Sequence, residues 1–362
     1  MKNLTVQCPI NNLSFGNVGY NMLREMHRQQ LNVSLFPKNN NVDLSSFNKT
    51  SDELHSWLQS SISKRNSSVE KNTPELNLWH LNGCEGRISN KSVLYTFHET
   101  SQATKEEVNL CRLYDKVVFS SKYSRDIFRM AGVENCESIP IGFDQDFFET
   151  SKYNLENKTH FGLMGKWENR KHTKKIIKLW AELLGNNPDF LLTCCVTNPF
   201  MKKEEVEQER RKALNGIDYE NINFLPWMKT NGEVNQYLNS IDIDLGGLSG
   251  AEGWNLPSFN ASCLGKWSIV LNHTAHKDWA TRDNSILIEP SGTESITDGR
   301  FFFKDSEFNE GHKFCFSKDQ FEDAINTAIN KAKIKNEEGI KLKNKFTYKS
   351  TVDRIINEAL DL

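Results

Sequence analysis

Strand-length apolar runs alternate with amphipathic stretches along most of the chain. Residues 4–10 (LTVQCPI) form the first run, and a polar turn through Gly16 and Gly19 leads into an amphipathic segment from about Val18 to Gln30. This is the opening unit of an α/β domain. Further strand-length runs fall at 76–81, 92–97 and 116–120, with helical periodicity between them, as at 124–131. The Ser/Asn/Lys-rich stretch from about 38 to 73 keeps only a weak period around Leu54, Trp57 and Leu58, which predicts one helix in irregular chain.

A polar segment at 149–158 (ETSKYNLENK) reads as a linker, after which the pattern restarts. It predicts strand 159–164, helix 172–185, strands 189–196 and 222–225, helix 232–239 and strand 241–246, with helical periods at 318–334 and 349–360 closing the chain. Strands alternating with helices imply parallel sheets. The expectation is an α/β protein of two Rossmann-like, doubly wound domains, residues 1–150 and 151–345, facing each other across a central cleft. The length of 362 residues agrees, at roughly 150 per domain.

Composition narrows the class. Hydrophobic residues make up 37% and aromatics 10%, enough apolar surface to fold without disulfides or a structural metal. The formal charge of -2 argues against a dedicated electrostatic grip on nucleic acid. One local basic patch exists at Arg170, Lys171, His172, Lys174 and Lys175, which taken alone reads equally as a solvated helix face. The eight cysteines lack the paired spacing of a zinc site, so buried, reduced thiols are expected. The N-terminus has no apolar stretch of signal-peptide length and no segment approaches a membrane span, which predicts a cytoplasmic protein with no integral membrane contact, a monomer or weak dimer. Sequons such as Asn32-Val33-Ser34 and Asn48-Lys49-Thr50 follow from the abundance of Asn and are discounted.

In parallel α/β sheets ligands gather at the carboxyl ends of strands, where helix N-termini offer free N–H groups. Two sequence blocks fall there. Gly165-Lys166 and Arg170-Lys171 follow the strand that opens the second domain, and cations so spaced can converge on a diphosphate, although a basic helix start taken alone is more often surface. Gly250-Ala251-Glu252-Gly253-Trp254-Asn255-Leu256-Pro257 sets a carboxylate before a small-residue helix, with Pro just inside its start, as a shaped ligand loop requires. Two Asp-x-Asp patterns, Asp144 to Asp146 and Asp242 to Asp244, lie in the interdomain segment and in an apolar strand, without the exposed loop that a divalent metal needs.

The block SGAEGWNLPSFNASCLGKWSIV resembles the signature of the family 4 retaining glycosyltransferases (glycosyltransferase group 1), which runs Glu-Gly-Phe-Gly-Leu-Pro, two residues, Glu-Ala and a later Gly before a Val-rich strand. Residues 137–148 (ESIPIGFDQDFF) are similar to that family's interdomain segment, and 161–172 (FGLMGKWENRKH) to its diphosphate loop. The resemblance covers most of 115–270 and, more loosely, 1–30. It implies the GT-B fold, with a C-terminal helix, about 346–362, crossing back to the first domain. It further implies that Lys166 and Lys171 contact the donor diphosphate, with Gly165 and Arg170 in the same loop, and that Glu252 holds hydroxyls of the transferred sugar. The N–H groups of Gly253, Trp254, Asn255 and Leu256 then face phosphate, His98 lies against the donor sugar, and Gly16 lets backbone approach donor and acceptor.

This chain departs from the pattern in three places. Asn260 replaces the second Glu, which binds donor ribose, yet still offers hydrogen bonds to a hydroxyl. Lys166 stands where Arg is usual, keeping charge but losing the bidentate fork. The usual Gly-Gly turn is absent, the region reading NHTAHKDWA, which leaves His273, His276 and Asp278 without a role.

The activity implied is retaining transfer of a hexose from a UDP- or GDP-sugar, UDP-glucose among them, to a hydroxyl. No cofactor and no metal is expected beyond the nucleotide-sugar co-substrate. The acceptor is a saccharide or metabolite. The short first domain and the Asn/Lys-rich composition also suit a phage enzyme that acts on hydroxymethylated DNA bases in a host cytoplasm, although a flipped base needs a local basic rim. A nucleotide-sugar-binding protein without turnover and a nucleotide-sugar epimerase of the same fold are the rival readings.

Overall fold

Two six-stranded parallel sheets carry the chain, seen in a computed structural model that describes residues 3–48, 50–65 and 69–361. Lys49 of the second sequon, residues 66–68 of the polar stretch and the chain ends 1–2 and 362 lie outside the described residues.

The first half runs β1 (Asn3–Ile10), α1 (Ser14–Arg28), β2 (Asn32–Val42), α2 (Asp52–Lys64), β3 (Glu75–Leu78), β4 (Ser92–Thr96), α3 (Lys105–Cys111), β5 (Lys116–Phe119), α4 (Lys122–Met130) and β6 (Cys136–Ser138). Its strands are ordered β2-β1-β3-β4-β5-β6. The second half runs β7 (Thr159–Met164), α5 (Thr173–Leu184), β8 (Phe190–Cys195), α6 (Lys203–Ala213), β9 (Ile222–Phe224), α7 (Asn231–Ser240), β10 (Ile243–Asp244), α8 (Leu256–Cys263), β11 (Trp267–Leu271) and β12 (Ile286–Ile288), ordered β12-β11-β10-β7-β8-β9. An antiparallel hairpin, β13 (Gly292–Ser295) and β14 (His312–Cys315), precedes α9 (Lys318–Lys331), α10 (Glu337–Lys345) and α11 (Tyr348–Arg354). Continuous Val/Ile/Leu runs suit strands buried on both faces by helices, and β4, β5 and β11 are almost wholly buried.

The structure corrects two expectations. Gly16 and Gly19 lie inside α1, not in a turn before it. A Cβ on Gly16 would sit 2.5 Å from the Asn11 backbone nitrogen, so the glycine is required because the helix start folds tightly onto the loop after β1. A strand that the pattern did not predict begins at Asn32 and runs into the polar stretch that starts at about 38. β2 pairs with β1 from Asn32 to Pro37, and the register shifts before Val42 meets Ile10, with Asn39 and Asn40 at positive φ. Pro37 and the KNNN run hid it, and both are tolerated because β2 is an edge strand.

After α10 the chain returns to the first half. Phe143 N–H donates to Phe346 O at 2.9 Å, Thr351 Oγ1 to Pro140 O at 2.8 Å, and Gln29 Nε2 to Asp353 Oδ1 at 2.8 Å. Val352, Ile355, Ile356 and Leu360 complete the first core, which also takes in Trp254, Phe259 and Trp279 from the second half. All eight cysteines are buried free thiols. No helix among the described residues is long and apolar enough to cross a membrane.

The Asp144/Asp146 pair binds the halves together. Arg24 of α1 lies 3.1 Å from Asp144 and 2.8 Å from Asp146, while Asn231 Nδ2 at the start of α7 donates to both, at 3.3 and 3.0 Å. Their oxygens are engaged by protein donors, the Arg24 guanidinium among them, which accounts for the burial of a carboxylate pair. Close approach of the returning chain gives a test. A Cβ on Gly142 would overlap the Tyr348 backbone nitrogen and lie 2.8 Å from Tyr348 Cα. Gly142→Ala is expected to cost about 1–3 kcal/mol in denaturant unfolding, with faster amide exchange in α11.

Candidate functional site

The loop that follows β7 turns at Gly165, whose missing side chain admits Lys171: a Cβ there would lie 3.3 Å from Lys171 Cδ. A single 3-10 turn over Asn169–Lys171 then ends on His172, in the left-handed region at φ 55°, before α5 begins. His172 Nε2 donates to Phe314 O at 2.7 Å, and Lys313 Nζ to Asn169 Oδ1 at 2.7 Å, so β14 holds the turn in place. The Lys166 ammonium is partly exposed, 4.0 Å from Glu168 and over the Phe200 ring.

The second loop follows β10. Asn255 caps α8 in the left-handed region at φ 69°, which Asn adopts more readily than most residues. Its Nδ2 donates to Gly246 O and to His276 Nε2, both at 2.9 Å. His276 Nδ1 in turn bonds Leu271 O at 2.9 Å, which fixes Nδ1 as the protonated nitrogen and Nε2 as the acceptor. His276 therefore shapes the loop. Asp278 accepts from Lys122 N–H at 2.7 Å at the start of α4 in the other half, and His273 stacks on Phe314. The three residues that lacked a role in the sequence thus hold the loops and the halves in position.

Glu252 lies between the two loops. It is 4% exposed, with Lys171 Nζ on Oε1 and an Arg170 nitrogen 3.4 Å from Oε2. Burial alone pushes its pKa up, but Lys171 and Arg170 outweigh that and hold it down to about 2. Next to it, Gly253 O accepts from Ser120 Oγ at 2.7 Å and Trp254 O from Trp279 Nε1 at 3.1 Å. Among the described residues, no protein acceptor meets the N–H groups of Gly253, Trp254, Asn255 or Leu256. A row of free donors at the start of α8 beside the Lys171 ammonium is a place for a polyanion.

The remaining sequence candidates divide. Asn260 is 5% exposed and its side-chain oxygen has no partner, as a group that receives a hydroxyl donor would be. The Trp254 ring packs on Phe259 and Phe346 in the core, so only its backbone faces the site. Arg170 departs from the diphosphate role: it is 5% exposed, and its guanidinium is committed to Glu168, Glu99, Glu252 and Ala251 O. Burial opposes its charge, yet three carboxylates raise its pKa above the ordinary value.

His98 lies beside the second loop through its backbone. A Cβ on Gly253 would be 3.5 Å from His98 O and 2.9 Å from Phe97 Cβ. Its ring turns toward Gln102 O, with Nε2 3.0 Å from that oxygen and 3.0 Å from Thr100 Oγ1, and burial lowers its pKa. The ring lines a cavity of about 180 Å³ with Trp79, His80, Asn82, Phe97 and Asn309, which does not include Lys171 or Glu252. The cavity is roofed from the second half: Thr104 Oγ1 donates to Glu307 O at 2.6 Å, Asn309 N–H to Glu107 at 2.9 Å, and His312 N–H to Ser101 Oγ at 2.9 Å. Glu99, Glu168 and Trp79 are the residues that sequence reading passed over. Glu99 adjoins His98 and Glu168 lies within the Lys166–Lys171 loop, and that adjacency was the available signal for the two acids.

No protein-family model and no curated protein matches the sequence. Solved structures do. Sucrose-phosphate synthase from Thermosynechococcus elongatus superposes with a TM-score of 0.70 at 8% identity, over 98% of this chain and 97% of that one. Anabaena HepE in complex with UDP-glucose gives 0.65 at 12% identity, over 99% and 100%. The lipopolysaccharide outer core galactosyltransferase WaaB gives 0.61 at 12% identity, over 99% and 100%. The fold is therefore that of the GT-B glycosyltransferases, over the full chain.

The depressed Glu252 pKa has a measurable sign. A carboxyl held at about 2 against an ordinary 4.5 adds stability that is complete above pH 4.5 and lost as pH falls toward 2. Urea-unfolding free energies of Glu252→Gln are expected to fall less steeply than those of the wild type across that window.

Proposed function

We propose that the chain is a retaining, metal-independent hexosyltransferase that takes its sugar from a UDP- or GDP-sugar and acts in a cytoplasm, a host's if the chain is viral. The observation that carries the reading is the buried Glu252 carboxylate set between Lys171 and the unpaired N–H groups at the start of α8. The solved neighbours that support it include one in complex with UDP-glucose and one named as a galactosyltransferase.

In this reading Lys166, Lys171 and the N–H groups of Gly253 through Leu256 stabilise the diphosphate as negative charge grows on its leaving oxygen. Lys171 has three donors, so it keeps Glu252 while reaching a phosphate oxygen. Glu252 then accepts hydroxyls of the transferred hexose, and Asn260 takes a ribose hydroxyl. The acceptor hydroxyl attacks the anomeric carbon on the face the diphosphate leaves, and its proton passes to the departing phosphate oxygen. No protein nucleophile is used. Asp144 and Asp146 are tied to Arg24 and Asn231, and Asp242 to Lys333 at 2.7 Å, which supports turnover without a divalent metal. The acceptor is a saccharide or metabolite hydroxyl, with hydroxymethylated DNA as the second candidate.

A donor panel crossed with sugars, metabolites and hydroxymethylcytosine DNA, read by mass shift, tests donor and acceptor together. Binding with no sugar or nucleotide released in any arm identifies a non-catalytic binder, and an epimerised sugar formed without an acceptor an epimerase; either result refutes the transferase. Lys171→Ala is expected to lower turnover roughly 10²–10³-fold and also to lower the melting temperature, because it leaves the buried Glu252 carboxylate with Arg170 alone; full activity in the folded variant removes Lys171 from the mechanism. Chelation with EDTA is expected to leave the rate unchanged.

A further inference from the structure

We infer that Arg170 is a positioning residue that ties recognition of the donor sugar to closure of the cleft, with Glu99 as its partner across the cleft; the inference rests on the transferase reading above. Arg170 belongs to the second half, as do Glu168 and Glu252, whereas Glu99 follows His98 at the end of β4 in the first. Its Nε lies 2.7 Å from Glu168 Oε2, one terminal nitrogen 3.1 Å from Glu99 Oε1, and the other 3.4 Å from Glu252 Oε2 and 2.6 Å from Ala251 O. One rigid guanidinium plane thereby orients the carboxylate that meets the sugar and grips the segment that carries His98.

The contact depends on closure. Glu99 reaches Arg170 from a segment whose preceding residues, Phe97 and His98, lie directly on Gly253, where no side chain intervenes. Arg170 also faces more negative charge than it can offset. Glu168 and Glu252 are almost fully buried, and Glu99 is 30% exposed in its side chain. Lys171 shares the load at Glu252. Burial, together with the nearby Glu252 and Glu168 carboxylates, raises the Glu99 pKa against the pull of Arg170. Separating the halves strands Arg170 with two carboxylates and releases Glu99 to water, and Glu252 then loses one fixed side of its support. Nucleotide binding is not coupled in this way, because Lys166, Lys171 and the α8 N–H groups all belong to the second half.

Glu99→Gln tests this. Without ligand, its radius of gyration by small-angle scattering is expected to exceed that of the wild type. Its kcat/KM for the nucleotide sugar is expected to fall about 5- to 30-fold, the effect of one or two kcal/mol, while the Kd for UDP or GDP alone stays within about twofold. A merely structural role would shift the melting temperature and nucleotide binding together. Glu99→Asp keeps the charge with a shorter reach and is expected to fall between the two, and it replaces Glu99→Gln should that variant fail to fold. An unchanged kcat/KM, an unchanged radius of gyration, or a parallel loss of UDP and GDP binding overturns the inference. If the wild type turns over no donor, the transferase reading fails by itself, and the scattering comparison still decides whether Glu99 and Arg170 hold the cleft closed.

Discussion

A carboxylate buried as deeply as Glu252 persists only if cations are built around it, and most of the site follows from that requirement. An isolated ionised group in a dry interior is costly and normally neutralises. Here Lys171 and Arg170 approach from the neighbouring loop, which is possible because β7 and β10 are adjacent in the sheet, so both loops leave from the same edge. Gly165 leaves room for the Lys171 stem, His172 ends the turn in a left-handed conformation, and β14 fixes the turn through Phe314 and Lys313. Parts that look unrelated in sequence thus serve one electrostatic condition.

The two halves meet through chemically different contacts at different levels. At the interdomain segment the contact is polar, with Arg24 and Asn231 on the Asp144/Asp146 pair. Below the second loop it is apolar, where Trp254, Phe259 and Trp279 merge with the first core. Beside His98 it is hydrogen bonding between first-half side chains and backbone groups of residues 307–312, at the end of the excursion that leads into β14. The apolar contact gives adhesion with little directionality, and the polar ones set the register of the approach.

The alternation of apolar runs was enough to read two parallel sheets, and β7 has the bounds that its pattern suggested. Local chemistry concealed other elements. β2 carries Pro37 and a run of asparagines that an edge strand tolerates, and α6 is so rich in charge that it shows little apolar stripe. The pairing of Lys171 with Glu252 was legible as two loops leaving one edge of a parallel sheet. The burial of Arg170 was not, since a basic run before a helix has the same sequence whether it faces water or carboxylates. Likewise, nothing in NHTAHKDWA marks His276 as a hydrogen-bond bridge, because its partners, Leu271 and Asn255, are set by the fold.

The return of α11 to the first half means that this half is assembled from two separate stretches of chain, with the second half inserted between them. The polypeptide therefore passes between the halves twice, once after β6 and once between α10 and α11, and the two passages meet where Phe143 bonds Phe346 and Gly142 lies against Tyr348. A body suspended on two neighbouring strands cannot slide or twist freely against its partner.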